Sequence, residues 1–144
     1  MNHITATATA EGVMGRIQPA RNIRADIAFA IPIIRSLCDV DLGGACAVKD
    51  CELIAVQAIE DNESVIYRAG KLCRCGRWTL IKTGSRVNGA LANAARIGPE
   101  TLRKLKDARA SSLAIEVDRV MLDDQSRLLA AADAARIAVV GFTL

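Results

Sequence analysis

Several charged side chains in this 144-residue chain stand at the ends of expected elements, where an ion or a phosphate could be held. Glu60 and Glu63 are three apart at the entrance of an expected helix. Hard divalent cations take carboxylate oxygens, so this pair suits a metal or ligand site. Acidic residues also suit a helix N-terminus through its dipole, and the residues alone do not choose. Asp41, beside Gly43-Gly44, is either a metal ligand or a turn residue satisfying its own backbone. Lys82 closes an expected strand and opens a long loop, a usual place for a ligand-facing cation. A lysine at a strand end is equally common as solvated decoration. Arg68 can pair with Glu63 or Asp61 across helix turns. Gly98-Pro99 can offer free amides to a phosphate or simply start a helix with proline in its first turn.

The remaining candidates read as structure. Five cysteines, Cys38, Cys46, Cys51, Cys73 and Cys75, have no framework spacing, which fits a reduced compartment. Cys73-Arg74-Cys75 suggests zinc, but a structural site needs four ligands and His3 is the single histidine. Cys46 reads as a core residue, with Cys73 and Cys75 closing a helix. Arg103, Lys104, Lys106 and Arg109 read as a solvated helix face. A net charge of +3 and few aromatics exclude a nucleic-acid partner. No apolar run is long enough to span a bilayer, and Met1 to Gly12 lacks the pattern of a secretory signal, so the expected location is the cytoplasm.

These residues need elements to position them. The composition, 51% hydrophobic and 24% charged, fits one domain with an aliphatic core. Residues 1–12 read as a flexible tail and 13–144 as the domain. Asp26 is expected to cap a helix through Ile27, Ile31, Ile34 and Leu37, with Pro32 kinking or shortening it. Ala45 to Lys49 and Glu52 to Ala58 read as a hairpin around Asp50-Cys51, a turn whose second residue would usually be glycine. A helix over Asn62 to Leu72, ended by Gly76, leads to a strand over Trp78 to Lys82. A glycine- and alanine-rich loop, Thr83 to Arg96, precedes a helix beginning at Pro99. Two strands, Leu113 to Val117 and Arg119 to Leu122, flank a tight turn at Asp118. A helix over Asp124 to Arg136 and a strand over Ile137 to Phe142 complete the chain. The fold class is α/β with α+β character: a single layered domain with a mixed β-sheet and flanking helices.

Five stretches in order carry a resemblance. Asp41-Leu42-Gly43-Gly44-Ala45 looks like a D-x-G-Q-A turn. Ala58-Ile59-Glu60-Asp61-Asn62-Glu63 before Tyr67-Arg68-Ala69-Gly70 looks like A-I-E-G-T-D…R-R-A-G. Lys82 matches the first lysine of a K-x-x-K-P-x-Q-D-x-R-x-D loop, and Ile97-Gly98-Pro99-Glu100-Thr101 an I-G-P-x-T helix start. Gly12, Gly15, Pro19 and Asp26-Ile27 also fit. From about Glu11 to Gly141 the chain resembles the C-terminal domain of LpxI-type UDP-2,3-diacylglucosamine pyrophosphatases. The resemblance implies a hydrolase of a UDP-linked pyrophosphate in lipid A biosynthesis, yielding UMP and a lipid monophosphate with a divalent metal such as magnesium. It implies metal ligands at Asp41, Glu60 and Glu63, and ligand contacts at Lys82, Arg68, Asn88, Gly98 and Thr101. It implies a nucleotide-linked lipid as small-molecule partner and an N-terminal domain supplied by a separate chain; a homodimer stays open.

The loop departs from that pattern. The second lysine falls on Ser85 and the glutamine on Asn88. The two aspartates fall on Gly89 and Asn93, and the arginine on Leu91. The glutamine of D-x-G-Q falls on Gly44. Glycine offers a metal no side-chain ligand, and leucine cannot steady a phosphate. One lost phosphate-stabilising donor costs on the order of a hundredfold in rate. The leading expectation is a diverged, weakly active or inactive domain that keeps a pocket. The alternatives are a still-active metal-dependent nucleotide-sugar pyrophosphatase using Asp41, Glu60 and Glu63 with Lys82 on phosphate, and a non-catalytic interaction module.

Overall fold

Short aliphatic runs alternate with amphipathic stretches along the chain, and a computed structural model, which describes residues 6–8, 11–39, 44–58, 62–84 and 95–144, shows how they assemble. In chain order the elements are β1 (Ala6–Ala8), β2 (Gly12–Met14), α1 (Arg21–Asp39), β3 (Ala45–Lys49), β4 (Glu52–Val56), α2 (Asn62–Leu72), β5 (Thr79–Lys82), β6 (Ala95–Ile97), α3 (Pro99–Asp107), β7 (Ser112–Glu116), β8 (Val120–Asp123), α4 (Gln125–Ala134) and β9 (Ala138–Phe142). The larger sheet has the order β2-β9-β7-β5-β3-β4. Its centre is parallel: β5 pairs with β7 and β7 with β9. β2 and β3 flank this centre antiparallel, and β4 pairs antiparallel with β3. The mixed α/β sheet expected from sequence is therefore the observed one.

Burial explains which strands became central. Every residue of β5 and of β7 is buried. Such strands need helices on both faces. Leu80, Leu113, Ile115 and Val139 face α2, α3 and α4 through Val65, Ile66, Leu102, Leu105 and Leu128. Ile81, Ala114, Cys46 and Val48 face α1 through Ile23, Ile27, Ala30 and Ile34. Each fully buried aliphatic side chain contributes roughly 1.5–3 kcal/mol. Trp78 is fully buried, and its indole N–H donates to the Ala108 carbonyl at 2.9 Å, tying the start of β5 to the end of α3.

Several expectations are corrected. Asp26 does not cap a helix: it lies inside α1, 2% exposed. Its carboxylate accepts the N–H groups of Asp50 at 3.2 Å and Cys51 at 2.7 Å. Those two residues form the β3–β4 turn with φ of 51° and 58°. A two-residue hairpin favours positive φ at both central positions, and the buried carboxylate offsets the cost of placing a cysteine there. α1 passes through Pro32, which is exposed, without ending. Ala6–Ala8, expected within a flexible tail, forms β1. The loop after β5 contains β6 within its expected span. β7 and β8 do not pair with each other. Both edges of β7 are taken by β5 and β9, so the chain turns at Asp118 (φ 64°) and β8 joins a second sheet, β1-β8-β6.

Replacing Asp26 with alanine leaves two turn amides without their carboxylate. We expect Asp26→Ala to lower stability by about 2 kcal/mol, read as a lower urea midpoint at unchanged slope.

Candidate functional site

Chain direction brings the segments of interest to one edge. β4, β5, β7 and β9 all run the same way, so α2, the β6–α3 segment and the β8–α4 segment leave from their carboxyl ends. In open α/β sheets this is the edge at which ligands bind. Gly44, Gln57, Lys82 and Thr83 meet there. The Thr83 N–H donates to the Gly44 carbonyl at 2.7 Å, and the Gln57 N–H to the Ala45 carbonyl at 2.8 Å. The Thr83 hydroxyl also reaches the Gly44 carbonyl at 3.4 Å, and it lies 3.7 Å from Cys38 Sγ at the end of α1.

Lys82 is the chemical centre of this arrangement. It is 5% exposed, at the last position of β5. A side chain starting at Gly44 would place its first carbon 2.7 Å from Lys82 Nζ, 3.1 Å from the Thr83 carbonyl oxygen and 3.7 Å from Gln57 Oε1. The missing side chain at position 44 thus makes room for the ammonium, which lies in a small polar cradle formed by Gly44, Thr83 and Gln57. Among the described residues no carboxylate forms an ion pair with Lys82. Burial disfavours its charged form and pushes the amine down to about 8. A buried cation without a counter-charge is costly, and an incoming anion relieves that cost.

The other expected site residues that the structure describes make contacts of their own. Glu63, in the first turn of α2, forms an ion pair with Lys104 of α3. Arg68 Nη2 donates to the Val56 carbonyl at 2.8 Å and so fastens α2 to β4. Gly98 is the extended residue before α3, and the Thr101 N–H donates back to its carbonyl at 3.0 Å. Asp41, Glu60 and Asn88 lie outside the described residues, as do Ser85, Gly89, Leu91 and Asn93. Among the described residues no three His, Cys, Asp or Glu side chains come together as a metal site. They do not by themselves assemble magnesium ligands, and we assign no step to a metal.

Sequence reasoning passed over Gln57, Thr83 and Glu116. Glu116 ends β7, 3% exposed, one residue beyond the Ile115 that pairs with Lys82. Strand alternation puts it with Ala114 on the α1 side. A carboxylate closing an otherwise apolar run was the available signal.

The buried charge has a measurable signature. Below pH 8 Lys82 is protonated in both folded and unfolded chains, so its desolvation penalty is fully present. Between about 8 and the ordinary 10.5 the unfolded chain alone holds the proton, and native stability rises with pH; above that range the penalty is gone. We expect Lys82→Met to stabilise the fold at pH 7 by roughly 3 kcal/mol, with the gain shrinking between about pH 8 and 10.5 in urea titrations.

Comparison with known proteins follows the same frame. The family described as LpxI C-terminal domain matches residues 10–140, which run from before β2 into β9 and so reach every strand of the larger sheet. The chain is also similar to the UDP-2,3-diacylglucosamine pyrophosphatase LpxI of Caulobacter vibrioides, 25% identical over 137 residues covering 90% of this chain and 49% of that protein. It therefore spans about half the length of that curated relative. With the match running through the sheet and across the edge that carries Lys82, the chain belongs to the LpxI C-terminal domain family.

Proposed function

We propose that this domain binds a UDP-linked lipid of lipid A biosynthesis at the Lys82 cradle, with weak or absent hydrolysis of its pyrophosphate. The observation that carries the reading is Lys82: a buried ammonium at the carboxyl end of a parallel strand, packed closely against Gly44, with no carboxylate counter-ion among the described residues. A pyrophosphate oxygen accepting from Nζ returns the charge balance that burial removed. The Thr83 hydroxyl and the Gln57 amide border the same space and can orient the bound group. Membership of the LpxI C-terminal domain family supports the class of ligand.

Weak turnover follows from the sequence of the adjoining loop. Phosphoryl transfer depends on positive groups placed where charge develops. Gly89, Leu91 and Asn93 stand where the family pattern has an aspartate, an arginine and a second aspartate. Glu63 is engaged by Lys104. Magnesium, expected from the family, is part of this proposal and enters the assay. So do a cytoplasmic location and an N-terminal domain on a second chain.

Two measurements separate binding from catalysis. Titration calorimetry with UDP should show binding that Lys82→Ala weakens about tenfold or more, as expected for loss of a desolvated charge contact. UMP release from UDP-2,3-diacylglucosamine, with magnesium or manganese, should stay at the blank. Metal-dependent release that both Lys82→Ala and Glu63→Ala abolish would show a working site and sink the weak-turnover reading. UDP affinity indifferent to Lys82→Ala would remove the cradle.

A further inference from the structure

A second feature lies on the α2–α3 side, apart from the Lys82 cradle. Gly70 of α2 lies close against Ala108, the residue that ends α3: an added carbon would sit 2.8 Å from Ala108 Cβ. Beside that contact runs an open groove of about 510 Å³, lined by Ile66, Tyr67, Gly70 and Ala108 among others. Lys71, Lys104 and Arg109 rim it, and Arg74 joins Lys71 and Arg109 around an adjoining hollow. Two carboxylates line the groove, Glu63 and Asp107, and Glu63 is neutralised by Lys104. Positive charge is left in excess.

A large exposed side chain stands beside these cations. Tyr67, on α2, is 62% exposed. Lys71 Nζ lies 4.8 Å from the centre of the Tyr67 ring. An aromatic ring projecting among lysines and arginines is a combination that enters the headgroup layer of an anionic bilayer. The cations meet lipid phosphates and the ring reaches below them. Nucleic acid would need more stacking surface than one tyrosine supplies. No helix among the described residues is long and apolar enough to cross a membrane, so any contact made by this face is with the surface.

We propose that the α2–α3 face, through Lys71, Arg74 and Arg109 with Tyr67, docks this domain on an anionic phospholipid surface. Such docking would hold the cradle near substrates that reside in a membrane, but it does not depend on the nucleotide reading.

The test is co-sedimentation of the full chain with phosphatidylcholine vesicles containing increasing phosphatidylglycerol, with no nucleotide present. Binding should rise with phosphatidylglycerol and fall in about 0.5 M salt. The triple variant Lys71→Glu, Arg74→Glu, Arg109→Glu should lose about tenfold or more in partitioning. Tyr67→Ser should lose severalfold at constant charge. Arg24→Glu with Arg35→Glu, on α1 across the sheet, should bind as the parent does. Circular dichroism confirms that each variant is folded. No sedimentation with anionic vesicles overturns the proposal, as does an equal loss in the α1 pair, which would mean net charge alone is read. Because the vesicles carry no UDP, these outcomes are distinct from a failure of the Lys82 site.

Discussion

A parallel strand covered on both faces offers no solvent side on which to place a charge. β5 and β7 are buried along their whole lengths, so a charged residue there is tolerated at an end, where the ladder opens onto turns. Both strands end this way, β5 on Lys82 and β7 on Glu116. The pairing of Lys82 with Ile115 then fixes how far each charge stands from the sheet edge. Helices on either face close the sides, and β3, antiparallel to β5, returns Gly44 to the same edge. The position of the cation is thus a result of sheet pairing, not of a local motif.

The same constraint explains why Lys82 and Gly44 belong together. An alanine or any larger residue at position 44 would begin 2.7 Å from the ammonium, inside van der Waals contact, and force it elsewhere. Glycine there gives the amine room to lie against the backbone, at the cost of a side chain that could have contacted a ligand. A buried cation of this kind lowers the stability of the fold that holds it, which is why the proposed binding role rests on it.

Much of this was legible in the sequence because patterning and burial agreed. The β3–β4 hairpin, α2, β5, α3 and β9 follow from apolar periodicity and from Pro99 at the head of α3. Lys82 stood out as the residue joining a strand to a long loop. What could not be read was long-range. Nothing local in Leu113 to Leu122 says that the chain changes sheet at Asp118; that follows from β9, many residues later, claiming the free edge of β7. Asp26 reads locally as a helix cap, yet its carboxylate serves a turn twenty-four residues away. Glu63 reads from its place at a helix entrance as either a ligand or a partner of the helix dipole, and only the neighbouring helix shows that Lys104 pairs with it.

The pairing of β2 with β9 brings Gly12 opposite Gly141, close to the full span of the chain. Contacts of this kind close very large loops and reward the chain only when both ends are present. During synthesis the parallel centre therefore waits for its last strand, because β9 completes one side of β7 and gives β2 its sole partner in that sheet. Until then the apolar edge of β7 is bare. A chain without β9 therefore carries an unpaired strand edge at the centre of its sheet, open to pairing with another strand.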